Sequence, residues 1–247
     1  MKAVSSPQPA AAALAAEDAS QEATRVIAIR HGETAWNAEM RMQGQLDIAL
    51  NERGLWQARR MAAALADEEV DVVYASDLVR AARTAEPLAA ARGLTVLTDR
   101  GLRERCFGVF QGLTFDEVAE RWPEDSRRWR QREPGFAPEG AESLREFSAR
   151  CVATAARLAA AHPGQSVVLV THGGVLDCLY RAATRIELQA PRSWLLGNAS
   201  INRLLYTPQG FSLVGWSDTA HLDAAPLDEA DAGEASATAP DRMGYAA

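Results

Sequence analysis

Two continuous apolar runs, each followed closely by a histidine and a glycine, are the clearest pattern along this chain. Residues 26–29 and 167–170 contain only valine, isoleucine, leucine and alanine. Such runs are typical of parallel strands that helices cover on both faces. One residue separates the first run from His31, and one separates the second run from His172. Ligands bind beyond the carboxyl ends of strands in open α/β sheets, so we expect both histidines to contribute to one site.

The segments after these runs have the features of an anion-binding site. Gly32 follows the first histidine, Gly173 follows the second, and a helical pattern comes after each glycine. A strand, a glycine-containing turn and a helix start leave backbone N–H groups and the positive end of a helix dipole directed at the same place. Phosphate is the anion that we expect to bind there.

Strands alternate with helices in the pattern of the whole chain. The predicted strands are 26–30, 71–74, 95–97, 167–171, 201–206 and 211–214, and the predicted helices are 55–66, 78–92, 143–162 and 174–183. This alternation predicts an α/β fold, a three-layer αβα sandwich with a mostly parallel sheet, to which the final hairpin adds an antiparallel edge. The pattern weakens between Gly112 and Gly140. We interpret residues 113–139 as an irregular insertion that lies over the strand ends and shapes a pocket.

The two ends of the chain differ from its middle in composition. The 247 residues are 47% apolar, which is enough for one domain of roughly 200 residues with tails. Residues 1–24 are rich in alanine and contain prolines, and residues 222–247 carry six acidic side chains against one arginine. Both ends contain few large apolar side chains, so we predict that they are disordered and that residues 25–221 form the folded domain.

Charge and cysteine content limit the classes of partner. The net charge is −7, of which the acidic tail carries −5 and the N-terminal segment −2, so residues 25–221 are neutral overall. A neutral domain gives no global field for nucleic acid or for an anionic membrane. No stretch approaches the ~20 apolar residues of a membrane span. The three cysteines have no metal-like or redox spacing, which favours a reducing, cytoplasmic location. The oligomeric state stays open.

Several motifs follow one another in the order that is found in a known family. They are Arg30-His31-Gly32-Glu33-Thr34-Ala35-Trp36-Asn37, Gln43-Gly44 with Asp47 and Leu50-Asn51, Ser76-Asp77-Leu78-Val79-Arg80, Leu102 and Glu104 with Phe107-Gly108, Gly140-Ala141-Glu142-Ser143, Thr171-His172-Gly173-Gly174 and Asn198-Ala199-Ser200-Ile201. This series resembles the histidine phosphatase superfamily, also called the phosphoglycerate mutase-like family, over almost all of residues 25–215. One Arg-His-Gly motif would be weak support, but the ordered series is specific.

The resemblance implies a role for each of five catalytic residues. His31 would be the nucleophile that accepts the phosphoryl group on one ring nitrogen. Arg30 and Arg80 would hold the phosphate oxygens, since a guanidinium binds them bidentately. His172 would donate a hydrogen bond to a phosphate oxygen. Glu104 would be the general acid, because an alkoxide leaves poorly without a proton.

Four further residues are candidates for substrate binding. Gly44 and Gly173 belong to motifs that the resemblance places around the phosphate. Asn37 either contacts the phosphate or only turns its loop. Glu142 either contacts the substrate in the pocket or forms a helix N-cap together with Ser143.

The remaining histidines and a cluster of arginines have simpler interpretations. We predict that His162 caps a helix C-terminus, and we give His221 no role. The cluster of Arg127, Arg128, Arg130 and Arg132 is typical of a solvated helix face, although one of its members could reach a substrate carboxylate. A metal site on His31 and His172 is disfavoured because the two arginines beside them would repel a cation. We therefore expect no metal and no other cofactor.

The motifs favour a phosphomonoester phosphatase that hydrolyses a small phosphorylated metabolite through phosphohistidine. The main alternative is a cofactor-dependent phosphoglycerate mutase, an isomerase with the same site. Members of the mutase branch usually have Leu-Asn-Lys after the acid motif, where this chain has Leu113-Thr114-Phe115, and they carry a longer insert before the second histidine motif. A non-catalytic module that binds a phosphorylated ligand is disfavoured, because such a module needs no nucleophile and acid together.

Overall fold

The computed structural model describes residues 23–223, which form a single six-stranded sheet with helices on both faces. The strands are β1 (Thr24–Arg30), β2 (Val72–Ala75), β3 (Val96–Thr98), β4 (Ser166–Thr171), β5 (Ile201–Thr207) and β6 (Gly210–Asp218). Residues 1–22 and 224–247, which belong to the two ends predicted to be disordered, lie outside the described residues. Thr24 was assigned to the N-terminal segment, but it begins β1, and its hydroxyl donates to the Ala159 carbonyl at 2.8 Å.

The strand order β3-β2-β4-β1-β5-β6 explains why two distant histidines meet. Strands β3, β2, β4 and β1 are parallel to one another, and β5 pairs antiparallel with both β1 and β6. The predicted mostly parallel sheet with an antiparallel edge is therefore confirmed. Arg30 pairs with Thr171 at the carboxyl ends of β1 and β4. The residues that follow these two strands leave the sheet side by side.

Seven helices accompany the sheet within the described residues. They are α1 (Ala35–Ala38), α2 (Glu52–Ala64), α3 (Val79–Ala91), α4 (Phe115–Arg121), α5 (Pro123–Arg130), α6 (Leu144–Ala160) and α7 (Gly173–Thr184). Thr34, Thr114 and Ser143 begin α1, α4 and α6 with capping boxes, in which side chains satisfy the first free N–H groups. None of the helices in residues 23–223 has both the length and the apolarity that crossing a bilayer requires.

The two central strands bury side chains on both faces of the sheet. In β1, Val26 and Ala28 pack against α6 and α7, whereas Ile27 and Ile29 pack against α2 and α3. Strand β4 alternates in the same way, and all six of its residues are buried. Burial on both faces is the reason that these strands appear as continuous apolar runs. It produces the predicted three-layer sandwich.

The segment 113–139 is more regular than the sequence suggested. It contains α4 and α5, so the prediction of an irregular insertion was wrong. The two helices are too short for a clear period, but local signals start both of them: the Thr114 capping box for α4 and Pro123 at the first turn of α5. Phe110 and Trp129 form a small core of this region together with Val118. The segment therefore has its own rigid packing beside the ends of the strands.

The ring of His162 does not cap a helix C-terminus as the sequence suggested. Helix α6 ends at Ala160, and the His162 ring lies within hydrogen-bond distance of the Tyr74 hydroxyl at 3.0 Å and the Gln165 side-chain oxygen at 2.8 Å. These two side chains occupy the ring nitrogens, so the helix carbonyls are not its partners. His162 instead ties the end of α6 to β2.

Candidate active site

The loops after β1 and β4 place the two motif histidines against each other. The ring centroids of His31 and His172 are 5.1 Å apart. The backbone N–H of His31 donates to the Thr171 carbonyl at 2.8 Å, which continues the β1–β4 pairing by one residue. Both rings are at least 96% buried. The shared site expected from the two strand ends is therefore present in the geometry.

A single hydrogen bond sets the tautomer of His31. Its Nδ1 lies 2.7 Å from the Gly32 carbonyl oxygen. A carbonyl can only accept, so Nδ1 carries the proton and Nε2 carries the lone pair. No residue in the range 23–223 forms a hydrogen bond with Nε2. The acceptor that orients the ring is a backbone atom of the neighbouring residue, which no side-chain motif could have indicated.

Burial and neighbouring arginines keep both histidines neutral. Burial holds the pKa of His31 well below the ordinary histidine value, and the charges of Arg80 and Arg30 lower it further. Burial likewise holds the pKa of His172 well below the ordinary value, and the charges of Arg80 and Arg30 are smaller causes in the same direction. Neither nitrogen of the His172 ring has a hydrogen-bond partner among the described residues. A neutral His31 can act as a nucleophile, and His172 can donate to a ligand.

Backbone carbonyls hold the two arginines in place. Arg80 is fully buried, and its guanidinium donates to the Leu46 carbonyl at 2.8 Å and to the Gly44 carbonyl at 2.7 Å. Arg30 donates to the Leu196 carbonyl. Carbonyls orient a guanidinium without cancelling its charge, so the Arg80 guanidinium is fixed in the cavity wall as a cation.

Burial and neighbouring charged groups shift the pKa of Arg80. Burial lowers the pKa of Arg80 to about 10, while the nearby Glu104 carboxylate opposes this effect and Arg30 adds to it. The value still lies far above neutral pH. Arg80 is therefore cationic in the resting site.

Close packing of two glycines fixes the loop that carries His31. A Cβ added to Gly32 would lie 2.5 Å from the Gly54 carbonyl oxygen at the start of α2. The N–H of Gly32 also donates to the Thr84 hydroxyl of α3 at 2.9 Å. The loop that carries His31 thus packs directly on α2 and α3, with no room for a side chain at position 32.

Glu104 is held at the start of α7 by two backbone donors. The N–H of Gly174 donates to one carboxylate oxygen at 3.0 Å, and the N–H of Arg105 donates to the other at 2.8 Å. A Cβ at position 174 would lie 2.2 Å from the Glu104 side chain and 3.0 Å from the Phe147 ring. Gly174 is therefore required by space, and sequence reasoning gave it no role of its own.

Three of the four predicted substrate-binding residues line the cavity, and the fourth does not. Gly44, Gly173 and Asn37 line the cavity, and Asn37 also turns its loop, since its side-chain oxygen accepts the Thr34 N–H at 3.1 Å. Glu142 does not line the cavity. Its carboxylate instead forms a bidentate ion pair with Arg150, at 2.7 and 2.8 Å.

The alternative, a helix N-cap formed by Glu142 together with Ser143, is confirmed for Ser143 but not for Glu142. Ser143 caps α6, but its capping-box partner is Glu146, three residues along. Glu142 instead accepts the N–H of Cys106 at 2.9 Å. It braces the loop that carries the candidate acid, because Arg150 donates to the Glu104 carbonyl at 3.3 Å.

Of these groups, the ones that line one cleft of about 940 Å³, measured with its open mouth, are Arg30, His31, Asn37, Gly44, Arg80, Glu104, Gly173 and Gly174. The fully buried His172 is not among the lining residues, although its ring lies against that of His31. The walls of the cleft also contain side chains to which the sequence analysis assigned no site role, or, for Arg132, only an alternative one. The polar ones are Arg41, Gln43, Arg105, Arg132, Asp177 and Arg192, and the apolar ones are Met42, Phe107, Phe115, Trp129, Leu144, Phe147 and Leu196. Gln43 and Phe107 belong to the ordered motifs, and Asp177 had a local signal of another kind, since it is four residues before Arg181 on one helix and such residues form ion pairs.

The fold and this site define a family. The model of the histidine phosphatase superfamily (branch 1) matches residues 26–219, and the chain belongs to this family. It is 40% identical over 202 residues to phosphoglycerate mutase-like protein 4 of Arabidopsis thaliana, a match that covers 80% of this chain and 86% of that protein.

A second relative and a solved structure broaden this comparison. The chain is 39% identical over 206 residues to a metal-independent phosphoserine phosphatase of Arabidopsis thaliana, with 82% of this chain and 85% of that protein covered. The structure of a mycobacterial glucosyl-3-phosphoglycerate phosphatase superimposes with a TM-score of 0.71 and 33% identity, over 80% of this chain and 100% of that one. The chain therefore falls among phosphoryl-transfer enzymes whose names include both phosphatases and mutases.

The lowered pKa values of the two histidines can be observed directly. Because burial and the arginines disfavour the imidazolium, we expect the Cε1–H signals of His31 and His172 to show no titration midpoint near pH ~6.5 in an NMR titration of the free protein. The variants His31→Gln and His172→Gln assign the two signals. A midpoint near the ordinary value in either signal would contradict the burial of that ring.

The space around Gly174 gives a second expectation. In Gly174→Ala the new methyl group displaces the Glu104 carboxyl group, so turnover of an alkyl phosphate should fall by at least about tenfold, and that of a nitrophenyl phosphate much less. A phenolate leaves without a proton, whereas an alkoxide does not. Gly215→Ala in β6 is the matched control, because a Cβ there meets open space. Equal slowing of the two substrates would remove Glu104 from the acid role.

Proposed function

We propose that this protein is a phosphomonoester phosphatase that hydrolyses small organic phosphates through a phosphohistidine on His31. The observation that carries the proposal is the His31 ring itself. The Gly32 carbonyl accepts the Nδ1–H, with 2.7 Å between nitrogen and oxygen, so the lone pair is on Nε2 of a ring that lines the same cleft as Arg30 and Arg80. Arg30 and Arg80 supply fixed positive charge where a phosphoryl group would be.

The first step transfers the phosphoryl group to the enzyme. The Nε2 lone pair attacks phosphorus, the bond from phosphorus to the ester oxygen breaks, and the leaving oxygen receives a proton from the Glu104 carboxyl group. Arg30 and Arg80 balance the negative charge of the oxygens that remain on phosphorus. His172 donates one hydrogen bond to the same oxygens, which is consistent with the absence of a protein partner for its ring among the described residues.

The second step releases phosphate to water. The Glu104 carboxylate takes a proton from a water molecule, the water oxygen attacks phosphorus, and the N–P bond breaks to return the lone pair to Nε2. The acid used in the first step is thereby protonated again for the next cycle. One carboxyl group can serve both steps because it lies beside the phosphoryl group throughout, held by its two backbone donors.

The composition of the wall favours a phosphatase over the mutase alternative. A cofactor-dependent mutase must keep its bisphosphorylated intermediate in the cleft while that intermediate reorients, and the mutase branch usually has a lysine where this chain has Phe115. The Phe115 ring lines the cleft. It offers no charge to an anionic intermediate, so water replaces the intermediate more easily. Because some relatives are named as phosphoglycerate mutases or mutase-like proteins, an isomerase is the second candidate function.

The arginines also support catalysis without a metal ion. Arg30 and Arg80 carry the charge that a divalent cation supplies in many phosphatases, and two guanidinium groups would repel such a cation. One relative is named as a metal-independent phosphoserine phosphatase, which agrees with this proposal.

Product analysis separates the two candidates. We expect hydrolysis of 3-phosphoglycerate to exceed its conversion to 2-phosphoglycerate greatly, even with bisphosphoglycerate supplied and EDTA present, because Phe115 cannot retain an anionic intermediate. Both products are measured in the same reaction. Efficient isomerisation with little phosphate release would establish the mutase instead, and a complete loss of activity in EDTA that a divalent ion restores would refute the metal-independent mechanism.

The roles of His31 and Glu104 differ in their dependence on the leaving group. His31→Ala should form no acid-labile phosphoenzyme with any substrate, since the accepting atom is gone. Glu104→Gln should slow phosphoenzyme formation from an alkyl phosphate by about a hundredfold or more, and that from a nitrophenyl phosphate far less. With the aryl substrate it should accumulate phosphohistidine, because water activation is also lost. Rapid-quench measurements test this, and a phosphoenzyme in His31→Ala would overturn the nucleophile assignment.

A further inference from the structure

One end of the cleft contains a buried carboxylate that is only half satisfied. Asp177 of α7 lines the cleft and is 4% exposed. Its Oδ2 accepts hydrogen bonds from Arg132 at 2.6 Å and from Arg181 at 3.0 Å. Its Oδ1 has no donor among residues 23–223. A buried carboxylate oxygen without a donor is costly, so its retention in the wall of a cleft calls for a function.

The pair of arginines fixes the orientation of this carboxylate. Arg132 also donates to the Leu188 carbonyl at 2.8 Å, and Arg181 donates to the Ala190 carbonyl at 2.9 Å. Both guanidinium groups are nearly fully buried. With its Oδ2 bound to two rigid donors, the carboxylate cannot rotate to satisfy Oδ1 without losing an ion pair. The unpaired acceptor is therefore a fixed feature of the wall.

We propose that Asp177 is a specificity-determining residue, whose Oδ1 accepts a hydrogen bond from a hydroxyl group on the alcohol portion of the substrate. The inference rests on the proposed phosphatase activity and adds the substrate class: phosphate esters of polyhydroxy alcohols. A substrate that lacks the hydroxyl leaves the acceptor unpaired when it excludes water from the cleft. A site built in this way discriminates strongly against the deoxygenated analogue.

Charge in this end of the cleft favours a hydroxyl over an ammonium group. Two guanidinium groups already contact Asp177, and Arg192 in the same wall adds a third that interacts with the same carboxylate. Three cations therefore surround one anion. An ammonium on the substrate would face net repulsion, whereas a neutral hydroxyl donates to Oδ1 without it.

The apolar side chains of the cleft would produce the opposite substrate preference, so the two explanations can be distinguished by experiment. Phe115, Trp129 and Phe147 line the same cleft. If these rings alone selected the substrate, a plain alkyl ester would bind better than a hydroxylated ester of equal length, because burial of each CH₂ is favourable. A preference for the hydroxylated ester therefore requires a polar group in the wall, and the substitution of Asp177 identifies which one.

The experiment compares matched primary phosphate esters with the wild-type protein. Propyl, butyl and pentyl phosphates are paired with glycerol 1-phosphate, erythritol 4-phosphate and ribitol 5-phosphate, so that the hydroxyl groups sample several distances from phosphorus. We expect kcat/KM to favour the hydroxylated ester by at least about tenfold for one or more of the pairs. At that chain length, an ester with an ammonium in place of the hydroxyl should be poorer than the hydroxylated one. A ratio of one or less in every pair overturns the inference, and so does a preference for the ammonium.

Substitution of the acceptor locates the effect. In Asp177→Asn the hydroxyl preference should fall towards one, while in the matched control Asp116→Asn, an exposed aspartate at the start of α4, it should stay unchanged. A thermal melt first establishes that Asp177→Asn is folded; if it is not, the wild-type ratios alone decide. A folded Asp177→Asn that keeps the full preference overturns the assignment to Asp177.

The proposed function and this inference fail in distinguishable ways. If neither these esters nor a nitrophenyl phosphate release phosphate, the phosphatase is refuted, and the inference with it. If all of them are hydrolysed with a ratio of one or less, the phosphatase stands and only the role of Asp177 is refuted.

Discussion

Parallel pairing of β1 with β4 is the interaction on which the rest of the site depends. It brings Arg30 beside Thr171 and continues as a hydrogen bond from the His31 N–H to the Thr171 carbonyl at 2.8 Å. The two motif histidines follow these strands directly, so their 5.1 Å separation is set by a backbone register and not by side-chain packing. A slip of one residue would turn every side chain of the strand to the other face of the sheet and separate the rings.

The site also depends on the fixed positions of its charged groups. Carbonyls of Gly44 and Leu46 hold the Arg80 guanidinium, so its charge is oriented before any ligand arrives. Burial, and after it the same charge, holds the pKa of His31 well below the ordinary histidine value, so the ring is neutral. Fixed dipoles and charges need little reorganisation during a phosphoryl transfer, and such preorganisation is the main contribution of a protein to this chemistry.

The strands, the long helices and the five proposed catalytic residues could be predicted from sequence because their signals are local. Buried runs identify β1 and β4, and ordered motifs identify residues such as His31. Helices α4 and α5 were missed because each is too short to show a period. Asp177 was missed because its pairing with Arg181 on the same helix indicates only an ordinary helix ion pair, while its second partner, Arg132, is 45 residues away. Glu142 was misassigned because an acidic residue in a motif can either contact a ligand or pair with an arginine, and the sequence does not distinguish the two. In the structure it pairs with Arg150.

Hydrogen bonds around Arg30 and His31 connect the beginning of the folded chain with a segment close to its end. The Asn198 side chain donates to the His31 carbonyl at 3.0 Å across 167 residues, and the Leu196 carbonyl accepts from Arg30 across 166. Contacts of such long range form late in folding, since closing large loops is entropically costly. During synthesis, the first strand and its histidine leave the ribosome long before these partners exist. An unfinished chain therefore exposes His31 without these supports, and the hydrogen bonds around His31 are complete only once synthesis has passed Asn198.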